Sequence, residues 1–75
     1  MWREGALKVN GSWFHYQLKV YDEPSDFGID GGRISKVIIT RKGQTVCDYD
    51  RGWGIKPVDE DTEAALQILI FSESE

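Results

Sequence analysis

Hydrophobic and polar residues alternate most plainly between Ser12 and Tyr21. Phe14, Tyr16, Leu18 and Val20 share one parity, and Trp13, His15, Gln17, Lys19 and Tyr21 share the other. Period two marks a half-buried strand, so the first set is expected to face a core and the second to face outward. Just upstream, Asn10-Gly11 suits the positive φ angles of a type I′ turn. The pattern therefore predicts a hairpin with strands over about 4–10 and 12–21. "DEPSDFGIDGG" follows as a loop rich in Asp, Gly and Ser, with Pro24 inside it. The β-branched stretch from Arg33 to Arg41 predicts a third strand. Lys42-Gly43 turns the chain, and a fourth strand follows over about 44–50.

"GWGIKP" reads as a break in the sheet. After it, "DEDTEAALQILIF" predicts a helix over about 60–72, with acids at the positive end of its dipole and Asp59 or Asp61 as cap. Ala65, Leu66 and Leu69 form its inward stripe, with Ile68 beside it. Short connections favour neighbouring antiparallel strands. The expected fold class is α+β, a four-stranded antiparallel meander followed by one C-terminal helix. Residues 1–75 are read as a single domain.

Composition bears on assembly. A domain of this size buries only roughly 60% of its unfolded surface. Meanwhile, Ile68 to Phe71 are apolar on every side of a helix that one sheet covers on one side only. Ile70 and Phe71 are either covered by nearby chain or form a dimer surface; we expect a homodimer. That apolar run is far too short to cross a membrane, and no membrane contact is expected. Cys47 is the only cysteine, so no disulfide closes within the chain, and a reducing, cytoplasmic setting is expected.

The net charge of −4 is unevenly spread. All nine Lys and Arg lie within residues 1–57, against seven acids, whereas the remaining residues hold six acids and no base. A slightly basic body with an acidic C-terminal element permits a basic face without requiring one.

Two short segments, "FGIDGGRIS" and "YDRGWG", concentrate glycine beside arginine and aspartate. Successive N–H groups in such turns can form an anion-binding nest, though neither a Walker A loop nor a dinucleotide fingerprint is present. At sheet ends the two segments can meet. Asp26 or Asp30 is then expected to pair with Arg33 or Arg51, and Arg51 to lie under Trp53 or fork onto an aspartate. His15 reads as packing between aromatics and Cys47 as a small buried hydrophobe. With one of each, no zinc site or nucleophile–base pair stands out, and no metal or cofactor is expected. The loop acids match no calcium-loop spacing and read as solvated.

Ser25-x-x-Gly28-Ile29-x-x-Gly32-Arg33-Ile34-Ser35-Lys36 and Tyr49-Asp50-Arg51-Gly52-Trp53 resemble a pair of blocks in a small uncharacterised domain of Firmicutes and their prophages. The likeness spans roughly residues 13–70. The β-β-β-β-α order is also similar to the half-unit of PC4-like single-strand DNA-binding dimers and to a phage anti-CRISPR protein that nicks DNA. These resemblances imply a phage-associated protein in the bacterial host cytoplasm, and as fold analogy they imply no function.

The favoured expectation is a small binding module, an anti-defence inhibitor acting by protein contact rather than turnover. Arg33, Lys36, Arg51 and Trp53 are its expected contact residues, positioned by Asp26, Asp30 and Asp50. The alternative is a nucleic-acid binder or weak metal-dependent nickase that uses the outer sheet face, with Trp13, Lys19, Tyr21, Arg41 and Lys42 interleaving rings and charge. A third alternative is a structural subunit whose two blocks serve folding alone.

Overall fold

The computed structural model describes residues 1–73. Five strands form one antiparallel sheet in chain order: β1 (Trp2–Val9), β2 (Ser12–Val20), β3 (Ile34–Arg41), β4 (Gln44–Asp50) and β5 (Trp53–Ile55). A single 3₁₀ turn, Ile29–Gly31, interrupts the loop between β2 and β3, and helix α1 spans Glu60–Ser72. The fold is α+β, an antiparallel meander with one C-terminal helix.

The turns explain the meander. Asn10 and Gly11 both hold positive φ (49° and 83°), as do Lys42 and Gly43 (52° and 77°). These angles give two-residue connections whose twist matches that of the strands they join.

The sheet has five strands where four were expected. Arg51 adopts a left-handed φ of 62°, and the Asp50 amide donates to the Gly52 carbonyl at 2.9 Å. That tight turn brings Trp53 opposite Tyr49 and Ile55 opposite Asp48. The reversal is made at Arg51, just before the stretch that suggested a break, and Gly54 lies within the fifth strand itself. The fifth strand is only three residues long, too short for a periodic signal.

Register fixes the two faces. Leu7 and Phe14, Tyr16 and Ile39, Leu18 and Val37, and Ile39 and Cys47 are directly paired and share the helix-covered face. Phe14, Leu18, Val37, Ile39 and Cys47 are essentially inaccessible there, under Ala65, Leu66 and Leu69 of α1. Burying each of those leucines is worth roughly 1.5–3 kcal/mol. Ser35 is the extra residue of a bulge, since Lys19 pairs with Lys36 but Val20 pairs with Ile34.

Polar contacts lock the helix in place. The Asp59 carboxylate accepts from the Thr62 amide at 2.8 Å and from Arg41 Nη2 at 2.6 Å. Asn10 Nδ2 donates to Asp61 Oδ1 at 2.7 Å, and Arg3 Nε pairs with the Glu73 carboxylate at 3.0 Å. α1 therefore runs antiparallel to β1, from its turn end back to its start. No helix among the described residues is long and apolar enough to cross a membrane.

Candidate contact site

The face of the sheet turned away from α1 carries Trp13, His15, Gln17 and Lys19 of β2, because these alternate with the buried set. At one end of this face the sheet twist and the loop after β2 make a concavity of about 570 Å³. Its cations are Lys19, Lys36 and Arg51, and its rings are Trp2, Tyr21 and Phe27. Glu23, Asp50, Ser25 and Ser35 complete the wall.

The geometry pairs cations with rings. Lys19 Nζ lies 5.9 Å from the centroid of Trp2 and 5.4 Å from that of Tyr21. The Arg51 guanidinium lies 4.9 Å from the Phe27 ring. Each is within cation–π range, which orients the side chain. The Lys19 ammonium also lowers the pKa of the Tyr21 phenol from its ordinary value, first through a hydrogen bond and then through its charge. Lys36 faces Asp50 across the β3–β4 ladder at 3.6 Å.

The two glycine-bearing segments do meet, as their place at the sheet ends implied. The Tyr49 hydroxyl donates to the Phe27 carbonyl at 2.9 Å, and the Arg51 amide donates to the Ser35 carbonyl at 3.0 Å. A Cβ on Gly28 would fall 2.0 Å from the Gly32 carbonyl oxygen, so the loop closes on itself only because position 28 has no side chain.

The residues expected at the site divide. Lys36 and Arg51 converge on the concavity. Arg33 does not: its Nη2 donates to the Glu73 carbonyl, placing its charge at the negative end of the helix. Trp53 packs edge-on against Tyr49 (5.1 Å, 77°), beside a core residue of the opposite face. Asp26 and Asp30 are exposed, and among the described residues neither forms an ion pair with Arg33 or Arg51. Backbone hydrogen bonds and the Phe27 ring position Arg51 instead, while Asp50 serves Lys36.

The nucleic-acid set divides too. Lys19 and Tyr21 line the concavity, and Trp13 sits at the far end of the same face under Lys8 (5.8 Å). Arg41 is committed to Asp59 and stacks over Phe14 at 5.1 Å. Lys42 occupies a turn. His15 is exposed rather than packed, and lines a second, open depression with Glu4, Gln17, Ile38 and Thr40. Trp2 and Phe27 escaped sequence reasoning. Trp2 extends the outward parity of β1 two residues beyond the expected start, a signal the pattern did hold. Phe27 is a lone ring in a polar loop and carried no signal.

Among the described residues, no group of three or more His, Cys, Asp or Glu is placed to hold a metal ion. Residues 1–73 match the family model described as a domain of unknown function, DUF7678. No curated protein and no solved structure matches the chain.

Proposed function

The chain belongs to the DUF7678 family, and for it we propose a binding module that acts by contact, through the concavity of Trp2, Lys19, Tyr21, Phe27, Lys36 and Arg51. The observation that carries this reading is the pairing of each central cation with rings: Lys19 with Trp2 and Tyr21, and Arg51 with Phe27. Rigid aromatics beside arginine are what dominate protein interfaces energetically, because they bury much surface at small entropic cost. The charges are mixed, with Glu23 and Asp50 beside the cations. Mixed charge suits a protein surface presenting both signs, such as a carboxylate within an apolar patch.

The resemblance to prophage domains makes a nuclease of a bacterial defence system the first partner to try. Adding the purified chain to such a nuclease is expected to inhibit it in proportion to dose. Lys19→Glu and Arg51→Ala should remove the inhibition while leaving the thermal melt nearly unchanged. Inhibition that survives both substitutions would move the contact surface elsewhere.

One observation favours a second reading. An ammonium between two rings on an open sheet face also suits single-stranded nucleic acid, by stacking and phosphate contact. Phosphate contacts release counterions, so affinity would fall by about 0.7 log unit per contact for each tenfold rise in salt. A labelled single-stranded oligonucleotide, titrated at two salt concentrations, is expected to bind weakly at low salt and not at physiological salt. Tight, steeply salt-dependent binding lost on Lys36→Glu would replace the protein-contact reading.

A further inference from the structure

Among the described residues, the first strand has a free side: β1 is an edge strand of eight residues paired only with β2. Met1 and Val20 exchange both backbone hydrogen bonds at 2.8 Å, and the register from Trp2 to Val9 contains no bulge. Because the ladder alternates, the odd residues of β1 point their N–H and C=O groups at β2. Those of Glu4, Ala6 and Lys8 point outward from the sheet edge. Such a long row of backbone donors and acceptors is a template for another strand.

We propose that the occupant is β1 of a second copy of this chain, paired antiparallel about a two-fold axis at Ala6. In that register Glu4 stands opposite Lys8 of the other copy and Lys8 opposite its Glu4, so the symmetry makes two cross-strand ion pairs. Ala6 meets Ala6 on the axis, where a small side chain crowds nothing. All of these residues lie on the outer face and bond through their outward-pointing backbone groups, as an extended ladder requires. On the helix-covered face, Gly5 stands opposite Leu7. The Tyr16 side chain reaches over Gly5, its hydroxyl 2.8 Å from where a Cβ there would lie, so the incoming Leu7 meets the Tyr16 ring. Shifting the register by two residues sets Glu4 against Ala6 and forfeits both ion pairs.

The helix adds a second reason. Asp61 reaches Asn10 at the end of β1, and Ile68, seven residues on, occupies the same flank of α1. Ile70, on the opposite flank, lines a depression with Ile29 and with Ile34 at the start of β3. The exposed side chain of Ile68 therefore lies on the free-edge side, above the gap that a second copy closes. Of the two residues expected either to be covered by nearby chain or to form a dimer surface, Ile70 is half-buried against the core and Phe71 is exposed on the adjoining helix surface.

Sedimentation of the full chain at tens of micromolar should give twice the 8.6 kDa chain mass. Glu4→Lys, which sets lysine against lysine at both pairs, should weaken the dimer by about tenfold or more. Combining it with Lys8→Glu restores opposite charges in this register and should restore the dimer. Ala6→Pro removes an outward amide at an edge position where proline is tolerated, and should yield a monomer with the circular dichroism of the parent. If Ala6→Pro unfolds the chain, the charge pair alone decides. A monomer at every concentration overturns the proposal, as does a dimer insensitive to Glu4→Lys or one that the double substitution fails to restore.

Discussion

Arg51 holds a left-handed φ of 62°, a conformation that costs a non-glycine residue about 1–2 kcal/mol. Glycine would relieve that strain, so the arginine is held there against local preference, with its guanidinium on Phe27 in the concavity. Arg51→Gly is accordingly expected to keep or raise the melting temperature while abolishing partner binding. Arg33 should do the reverse. Its bond to the Glu73 carbonyl serves the helix end, a position worth about 1 kcal/mol to a cation. Arg33→Ala should therefore lower the melting temperature by about 4–8 °C with binding retained. Composition could not separate these two arginines, because both stand among glycines and aspartates. What distinguishes them is which remote element each reaches. Cys47 was legible, since strand alternation placed it inward. Burial, followed by the charges of Glu63 and Asp48, pushes its thiol up to about 11. A pKa raised on folding contributes stability that is present below the ordinary thiol range and is lost as pH rises towards 11. A disulfide reagent at pH 8 should leave folded Cys47 untouched and react at once in denaturant.

At the scale of elements, the hairpin of β1 and β2 and helix α1 were readable because each carries its signal locally. Asn10-Gly11 and strict alternation mark the hairpin, while an acidic first turn with an apolar stripe marks the helix. β5 was not readable, since its existence depends on the turn angle at Arg51 rather than on any pattern in three residues. The helix N-terminus shows how a local signal gains a long-range partner. Asp59 caps the helix, as its position suggested, but the largest influence on its carboxyl is the hydrogen bond from Arg41, followed by those from Thr62. Together they hold its pKa down at about 2. A depressed pKa contributes stability above the ordinary carboxyl range and loses it as pH falls through the folded value. Thermal melts of the parent should therefore drop between about pH 4 and pH 2. Asp59→Asn and Arg41→Ala should each flatten that drop, and a variant melting in parallel with the parent would dissociate the pair from acid stability.

Across the whole molecule, the helix-covered face was largely legible and the opposite face was not. Core positions follow from periodicity within single strands, whereas the concavity needs Trp2 from β1, Phe27 from a loop and Arg51 from a turn to arrive at one place. Nothing within any one segment announces that meeting. The strand order has a consequence for how the chain acquires its shape. Because every strand pairs with its sequence neighbours, each ladder closes a short loop and needs little search, which favours rapid folding. The contacts that span the chain, Asn10 with Asp61 and Arg3 with Glu73, join the helix to the first strand and close the largest loops. The sheet should thus assemble before the helix docks. Refolding kinetics test this order: Leu18→Ala should slow folding, whereas Leu69→Ala should chiefly speed unfolding. The opposite pattern would make helix docking the event that nucleates the sheet.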